Sequence, residues 1–244
     1  MNCQTRFKQR LTAREPLVGC FIKTPHPIVI EVLGQSALDF LVLDAEHAPF
    51  DRQSIDTCII AGRAVDCPIL VRVPNEDWIL NVLDSGAAGI LVPHVTSVEQ
   101  AQALTRLVHY GPNGRGFAGT TRAAHYAQRP LAEHRHSTQH EVSLICQIED
   151  PAGVEQAAAI AAVPGVDALF VGRADLAVAY ELDDFFDASL AKRCADILGV
   201  KEAATGLFCT LGEDRSRWAE AGASLFVVGS EHALMMSGVQ GVLD

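Results

Sequence analysis

The sequence has no apolar run approaching the ~20 residues that a membrane-spanning helix needs. Its first ten residues, Met1 to Arg10, are polar and contain no apolar secretion-signal core. Among the seven cysteines (Cys3, Cys20, Cys58, Cys67, Cys146, Cys194 and Cys209) there is no CxxC pair. The number is odd, and Cys20, Cys146 and Cys209 fall inside expected strands, where a thiol behaves as a small apolar side chain. A disulfide scaffold is therefore excluded, and a reducing cytoplasm is the expected location. No basic cluster interrupts a net charge of −11, so neither nucleic acid nor a membrane is expected as a partner. A GxSxG nucleophile turn, a Walker loop and a buried lysine suited to a Schiff base are missing too; Lys23 is the only lysine near a strand end. No linker, low-complexity run or sequence repeat divides the chain.

What is present is material for a large core. Apolar residues make up 49% of 244, a length that suits one α/β barrel. Short apolar runs over residues 17–22, 38–43, 68–73, 89–93, 143–148, 168–171, 205–209 and 225–229 read as strands buried on both faces. Helical patterns separate them: a polar lead-in over 4–14, then 28–36, 54–64, a helix capped by Asn75 that stops at Gly86, a capping box at Ser97–Gln100 opening a helix to Val108, then 153–163, 185–195 and 213–221. Asp150 before Pro151 is expected to cap the helix that follows strand five. Residues 110–141 break the pattern with four glycines and four histidines (His125, His134, His136, His140), and read as a functional loop or lid in which the His134-x-His136 pair faces solvent. The tail from Glu231 reads as short. Eight strands alternating with helices predict a single-domain (β/α)8 TIM barrel over residues 1–244, with a doubly wound sheet as the alternative.

The polar residues cluster at the strands' carboxyl ends, where barrel enzymes keep their active sites. Asp44, Glu46 and His47 follow strand two, Arg72 ends strand three, His94 follows strand four, Glu149 ends strand five and Asp175 follows strand six. Glu149 and Asp175 close successive strands of a βαβ unit. They can converge on a hard divalent cation such as Mg2+, or serve as a cap and a helix-start residue. Arg72, flanked by Val71 and Val73, needs an anion: a substrate carboxylate, a developing enolate, or Asp44 on the adjacent strand. His47, in a turn before Ala48-Pro49, can move protons near neutrality or be a surface histidine. The segment Gly172-Arg-Ala-Asp175 opens a short helix whose N–H groups can hold a carboxylate or simply be capped.

The motifs Asp44-Ala-Glu-His47-Ala-Pro, Val71-Arg72-Val, Leu91-Val-Pro93, Gln147-Ile-Glu149 and Phe170-Val-Gly-Arg-Ala-Asp175-Leu resemble the HpcH/HpaI family of class II, metal-dependent pyruvate aldolases, from about Gly19 to Gly229. That resemblance implies a TIM barrel that cleaves a 4-hydroxy-2-oxo acid to pyruvate, or a related 2-oxo acid, plus an aldehyde, reversibly. It implies Glu149 and Asp175 as ligands of Mg2+ or Mn2+, with Co2+ also accepted. Gly172, Ala174 and Asp175 would bind the substrate carboxylate, Arg72 the enolate oxygen, and His47 would assist proton transfer. The family also pairs its histidine with an aspartate that matches Asp84. Asp84 lies ~13 Å along the helix capped by Asn75, toward the barrel's opposite face, so such a dyad implies a neighbouring subunit and a homo-oligomer, as in the family's hexamers (trimers of dimers). The chain departs from the family in Arg173, where proline is usual, in a shortened glycine loop after Gly111, in the segment after Leu176, and in its short tail. Two other functions stay open: a lyase for a 3-hydroxydicarboxyl-CoA thioester (malyl, citramalyl or citryl type), and a non-catalytic metabolite-binding barrel.

Overall fold

A computed structural model describes residues 1–243. Eight parallel strands close into a barrel in sequence order: β1 (Leu17–Ile22), β2 (Phe40–Asp44), β3 (Ile69–Arg72), β4 (Gly89–Val92), β5 (Ser143–Ile148), β6 (Ala168–Val171), β7 (Ala204–Cys209) and β8 (Leu225–Ser230). β1 pairs with β8 as well as with β2, which seals the ring and excludes the doubly wound alternative. The outer layer is built from α2 (Pro27–Gly34), α3 (Arg52–Ala64), α4 (Ile79–Asp84), α5 (Val98–Val108), α7 (Pro151–Ala161), α9 (Ala188–Leu198) and α10 (Ser216–Ala221).

Alternation along each strand separates two apolar clusters. Leu41, Leu43, Val71, Cys146, Ile148, Leu169 and Val171 pack outward beneath the helices. Phe21, Phe40, Val42, Leu70, Leu91, Ile145, Phe170 and Val227 fill the barrel's interior. The amino-terminal mouth is closed by a helix that reads as merely polar from its composition. In α1 (Cys3–Thr12), Phe7 and Leu11 lie one turn apart and both join the interior cluster, with the Phe7 ring 5.3 Å from that of Phe40. Every cysteine is buried and free among the described residues, and burial pushes the thiols of Cys20, Cys58, Cys67 and Cys146 up to about 12. No helix of the described residues is long and apolar enough to cross a membrane.

Residues 131–141 are not irregular: they form α6 (Leu131–Glu141), and His134 on it is fully buried. Its ring packs tilted against Tyr110 and edge-on against Phe117, and Nε2 lies 3.1 Å from the Tyr110 hydroxyl, contacts from distant residues that local pattern does not show. Asp150 occupies the cap position of α7, but its carboxylate turns to His94 Nδ1 at 3.0 Å and makes no cap hydrogen bond. At α5, Ser97 Oγ accepts from the Gln100 N–H, but Gln100 reaches back to Thr96 rather than Ser97, so the box is only half formed. The Asn75 cap opens a 3-10 turn, Glu76–Trp78, before α4 begins. Helix α9 starts three residues later than expected, capped by Asp187, which accepts from Ser189 and Leu190. The tail is a helix, α11 (Glu231–Leu243).

Helix α10 also starts late, because Glu213 is engaged elsewhere. Its carboxylate accepts from Arg173 Nη1 at 2.9 Å and Nη2 at 2.7 Å, from Trp218 Nε1 at 2.9 Å and from the Thr210 N–H at 3.0 Å. Arg173 opens α8 (Arg173–Ala179) and lies within 5.2 Å of the Phe185 and Trp218 ring centroids. The pair clasps the loop after β7 to the loop after β6. Burial alone would raise the Glu213 carboxyl, but the Arg173, Trp218 and Thr210 hydrogen bonds hold it down at about 2.

Phe7→Ala should cost about 3–5 kcal/mol in urea unfolding, because it empties the closed mouth of the barrel. Glu213 is depressed in the folded state, so its contribution is complete above the ordinary carboxyl value of 4.5 and is lost as pH falls from there toward 2. Urea unfolding across that window should show a loss of about 3 kcal/mol, and Glu213→Gln should flatten the decline while lowering stability at pH 7, since it leaves Arg173 buried without a counter-charge.

Candidate active site

A cavity of about 320 Å³ opens at the carboxyl ends of the strands. Strand parity selects its walls. The interior-facing positions of β1, β2, β3, β5 and β6 run on into Lys23, Asp44, Arg72, Gln147 and Gly172, all of which line the cavity. Phe21, Phe170 and Phe208 supply its apolar floor.

On one side the centre is Asp44, fully buried at the end of β2 and in register with Arg72 on β3. Its Oδ1 accepts from Arg72 Nε at 3.0 Å and from the His47 N–H at 3.2 Å, and lies 2.8 Å from Arg72 Nη2. Lys23 Nζ stands 2.8 Å from Oδ2. Burial alone would raise this carboxyl; the charges and hydrogen bonds of Arg72 and Lys23 hold it below its ordinary value. The Arg72 guanidinium also lies over the Phe21 ring, 4.7 Å from the centroid, and Nη1 has no protein acceptor among the described residues. The His47 ring is half exposed at the rim, with Nε2 3.6 Å from Glu46 Oε2.

Across the barrel, Glu149 is only 2% exposed. Its Oε1 accepts from the His94 N–H at 2.8 Å and its Oε2 from Gln147 Nε2. Burial, with the nearby charge of Asp175, raises the Glu149 carboxyl above its ordinary value. His94 reaches Glu149 from a left-handed backbone, φ 54°, sparsely populated for a residue with a side chain. Its place after strand four marked His94 as a candidate; the structure engages both its backbone N–H, with Glu149, and its ring, with Asp150. Partial desolvation disfavours its ring charge, but the exposed ring's hydrogen bond to Asp150 and the nearby Glu149 charge outweigh it and raise the His94 imidazole above its ordinary value.

Asp175 sits exposed in the first turn of α8. Gly172 is the cap residue and offers no side chain, so the N–H groups of Arg173, Ala174 and Asp175 meet no side-chain cap. Glycine is required there: a Cβ would lie 2.6 Å from Glu149 Oε2. Gln147 Oε1 is buried without a partner, and no group of three or more metal-type side chains exists among the described residues. The arrangement therefore provides two carboxylates with a neighbouring amide oxygen, a hard oxygen donor set that suits a divalent cation whose remaining ligands are water or substrate.

The structure thus brings His47, Arg72, Gly172, Ala174 and Asp175 to one cavity, with Glu149 immediately behind Gly172. It does not bring Asp84 there. Asp84 ends α4, and Arg115 Nη2 donates to its Oδ1. Lys23 and Arg173 are the cavity residues that spacing undervalued. Lys23 follows a strand end by one residue and sits two residues beyond interior-facing Phe21, the one signal that could have placed it.

Comparison with known proteins agrees with this geometry. The family model described as HpcH/HpaI aldolase/citrate lyase matches residues 17–234. A hydroxypyruvate/pyruvate aldolase of Roseovarius nubinhibens is 34% identical over 237 residues, covering 94% of this chain and 91% of that protein. A 5-keto-4-deoxy-D-glucarate aldolase of Klebsiella pneumoniae is 34% identical over 248 residues, covering 98% and 95%. The crystal structure of an HpcH/HpaI aldolase/citrate lyase family protein from Burkholderia cenocepacia superposes with a TM-score of 0.92 at 30% identity, covering 98% of each chain. A closed barrel with its polar groups at the carboxyl edge, matched along nearly its whole length, belongs to the HpcH/HpaI aldolase/citrate lyase family.

Proposed function

We propose that the protein is a divalent-metal-dependent aldolase, a carbon–carbon lyase that cleaves a 4-hydroxy-2-oxo acid to pyruvate, or a related 2-oxo acid, and an aldehyde. One observation carries this reading: a buried carboxylate, Glu149, is held beside Asp175 and the uncapped start of α8, across the barrel from Arg72 and His47. Glu149 and Asp175 would hold Mg2+ or Mn2+, and the same oxygen ligands accept Co2+. A bound cation supplies a Lewis acid to the substrate's keto oxygen.

The chain's own groups do the rest. The Ala174 and Asp175 amides, left without a side-chain cap, orient the 2-oxo acid's carboxylate. Arg72 cannot swing away, because Asp44 and the Phe21 ring hold it on two sides. Its open Nη1 meets the negative charge that develops on the C2 oxygen, a donor set in place before the reaction begins. His47 takes the proton of the C4 hydroxyl as the C3–C4 bond breaks. The bonding pair passes to the enolate, the aldehyde departs, and a proton added at C3 completes the 2-oxo acid.

Asp84 enters this scheme from a neighbouring copy. Its Oδ2 takes no partner among the described residues, and its position beside Gly86, where the chain turns into the amino-terminal end of β4, keeps it from its own cavity. That reading calls for a homo-oligomer, a hexamer built as a trimer of dimers. The buried, unpaired thiols support a reducing cytoplasm.

Pyruvate release from a panel of 4-hydroxy-2-oxo acids should appear with Mg2+ or Mn2+ and stop with excess chelator; release that ignores chelator overturns the metal assignment. Glu149→Gln and Asp175→Asn should each lower metal-dependent turnover at least a thousandfold while leaving circular dichroism unchanged. Gly172→Ala, which drives a methyl against Glu149, should weaken Mn2+ binding at least tenfold in a direct titration.

A further inference from the structure

The two carboxylates assigned to the cation are held in different ways. Glu149 is fixed through its own side chain, by the His94 N–H at 2.8 Å and by the Gln147 amide. Asp175 is exposed, and its carboxylate takes no hydrogen bond or ion pair among the described residues. Its place is therefore set by the backbone that carries it, the first turn of α8.

That helix has seven residues, and a helix of about two turns does not hold itself. Three things hold it from outside. The Gly172 N–H donates to the Ile148 carbonyl at 3.0 Å, Leu176 and Ala177 are buried in the outer core, and the Arg173 side chain is tethered. Apolar burial is non-directional, so it seats the helix without fixing its rotation. Arg173 supplies the direction. Its side chain is 2% exposed, and its two terminal nitrogens meet the two Glu213 oxygens at 2.9 and 2.7 Å. Nη2 also donates to the Phe208 carbonyl at 2.8 Å. A planar fork of this kind fixes orientation as well as distance. The Phe185, Phe186 and Trp218 rings surround the guanidinium, with centroids 5.2, 5.8 and 5.2 Å away. Glu213 is anchored in turn by Trp218, by Thr210 and by Arg217 Nη2 at 3.0 Å.

Topology turns this clasp toward the site. β6, which leads into α8, lies between β5 and β7. Arg173 and Asp175 are two residues apart, about 200° around a helix of 3.6 residues per turn. The first is drawn to the β7 side by Glu213, so the second is turned to the β5 side, where its charge acts on Glu149. A rotation of α8 that loosens one displaces the other. There is little slack, since even a Cβ at Gly172 would lie 2.6 Å from Glu149 Oε2.

We propose that the Arg173–Glu213 clasp is a positioning device. It fixes the rotation of α8, holds Asp175 ready beside Glu149, and so sets the affinity for the divalent cation. Neither residue is a ligand; both act through Asp175. This inference rests on the metal-dependent reading above and adds what keeps the two ligands together.

The test is a calorimetric Mn2+ titration of protein stripped with chelator, for the wild type, Arg173→Met, Arg173→Lys, Glu213→Gln and the double variant Arg173→Met/Glu213→Gln. Phe7→Leu, which loosens the far end of the barrel, is the control for stability alone. Each protein is titrated well below its own Tm. Arg173→Met and Glu213→Gln should each weaken Mn2+ binding about tenfold, with Arg173→Lys in between. The double variant should bind within about twofold of the weaker single variant, because both changes open one clasp. Phe7→Leu should lower Tm and leave Mn2+ affinity unchanged. Arg173 and Glu213 variants that lose Tm but keep wild-type Mn2+ affinity overturn the inference and leave the metal assignment standing. So does additive weakening in the double variant, or equal weakening in Phe7→Leu. Should Arg173→Met fail to fold, Glu213→Gln and Arg173→Lys decide the matter. A wild type that binds no Mn2+ overturns the metal assignment and this inference with it.

Discussion

In a closed ring of parallel strands, each residue faces either the barrel's interior or the layer beneath the helices. That constraint organises this protein. Below the mouth, interior positions carry Phe40, Val42, Leu70, Ile145 and Val227, and α1 seals the far end with Phe7 and Leu11. One or two steps further along the same strands, the interior positions become Lys23, Asp44, Arg72, Gln147 and Gly172. No separate binding domain is needed, because the core and the site are successive levels of one column of side chains.

Charges placed at the top of such a column lose water, and the structure compensates each one. Asp44 is neutralised by Arg72 and Lys23, Glu213 by Arg173, and Glu149 receives the His94 N–H and the Gln147 amide. The last case is the least balanced. Glu149 gains dipoles but no cation in direct contact apart from the His94 ring at 3.4 Å, and Asp175 adds a second negative charge nearby. In the proposed reading a divalent cation would complete this site, since its charge would reverse the cost of bringing the two carboxylates together. The opposite wall is matched: Arg72 and Lys23 both meet Asp44, and Arg72 also meets Glu46 at 3.4 Å.

Much of this was legible in one dimension. A strand buried on both faces announces itself as a continuous apolar run, and eight of them alternating with helices leave few topologies. The run ends at Asp44, Arg72 and Glu149 mark the carboxyl edge by themselves. What local pattern missed depends on partners far away in sequence. His134 reads as polar and solvent-facing because Tyr110 and Phe117, which bury it, are not its helical neighbours. Asp150 reads as a cap because nothing nearby reveals that His94, from another loop, takes its carboxylate. Helix α1 reads as a polar lead-in because Phe7 and Leu11 are a narrow stripe on a charged surface, and only the open end of a barrel gives that stripe a use.

The sequence by itself determined the strand count, the barrel class and the edge on which the polar residues gather, since these follow from periodicity and from which residues end each apolar run. Only the tertiary structure decided which groups share a partner and which are left with spare bonding capacity. Lys23 and Arg173 are both cations lining the same cavity, yet Arg173 is paired with Glu213, while Lys23 shares Asp44 with Arg72, which also reaches Glu46. That difference arises from ring closure, which brings residues remote in sequence within hydrogen-bond reach, and hydrogen bonds and ion pairs act only over such distances.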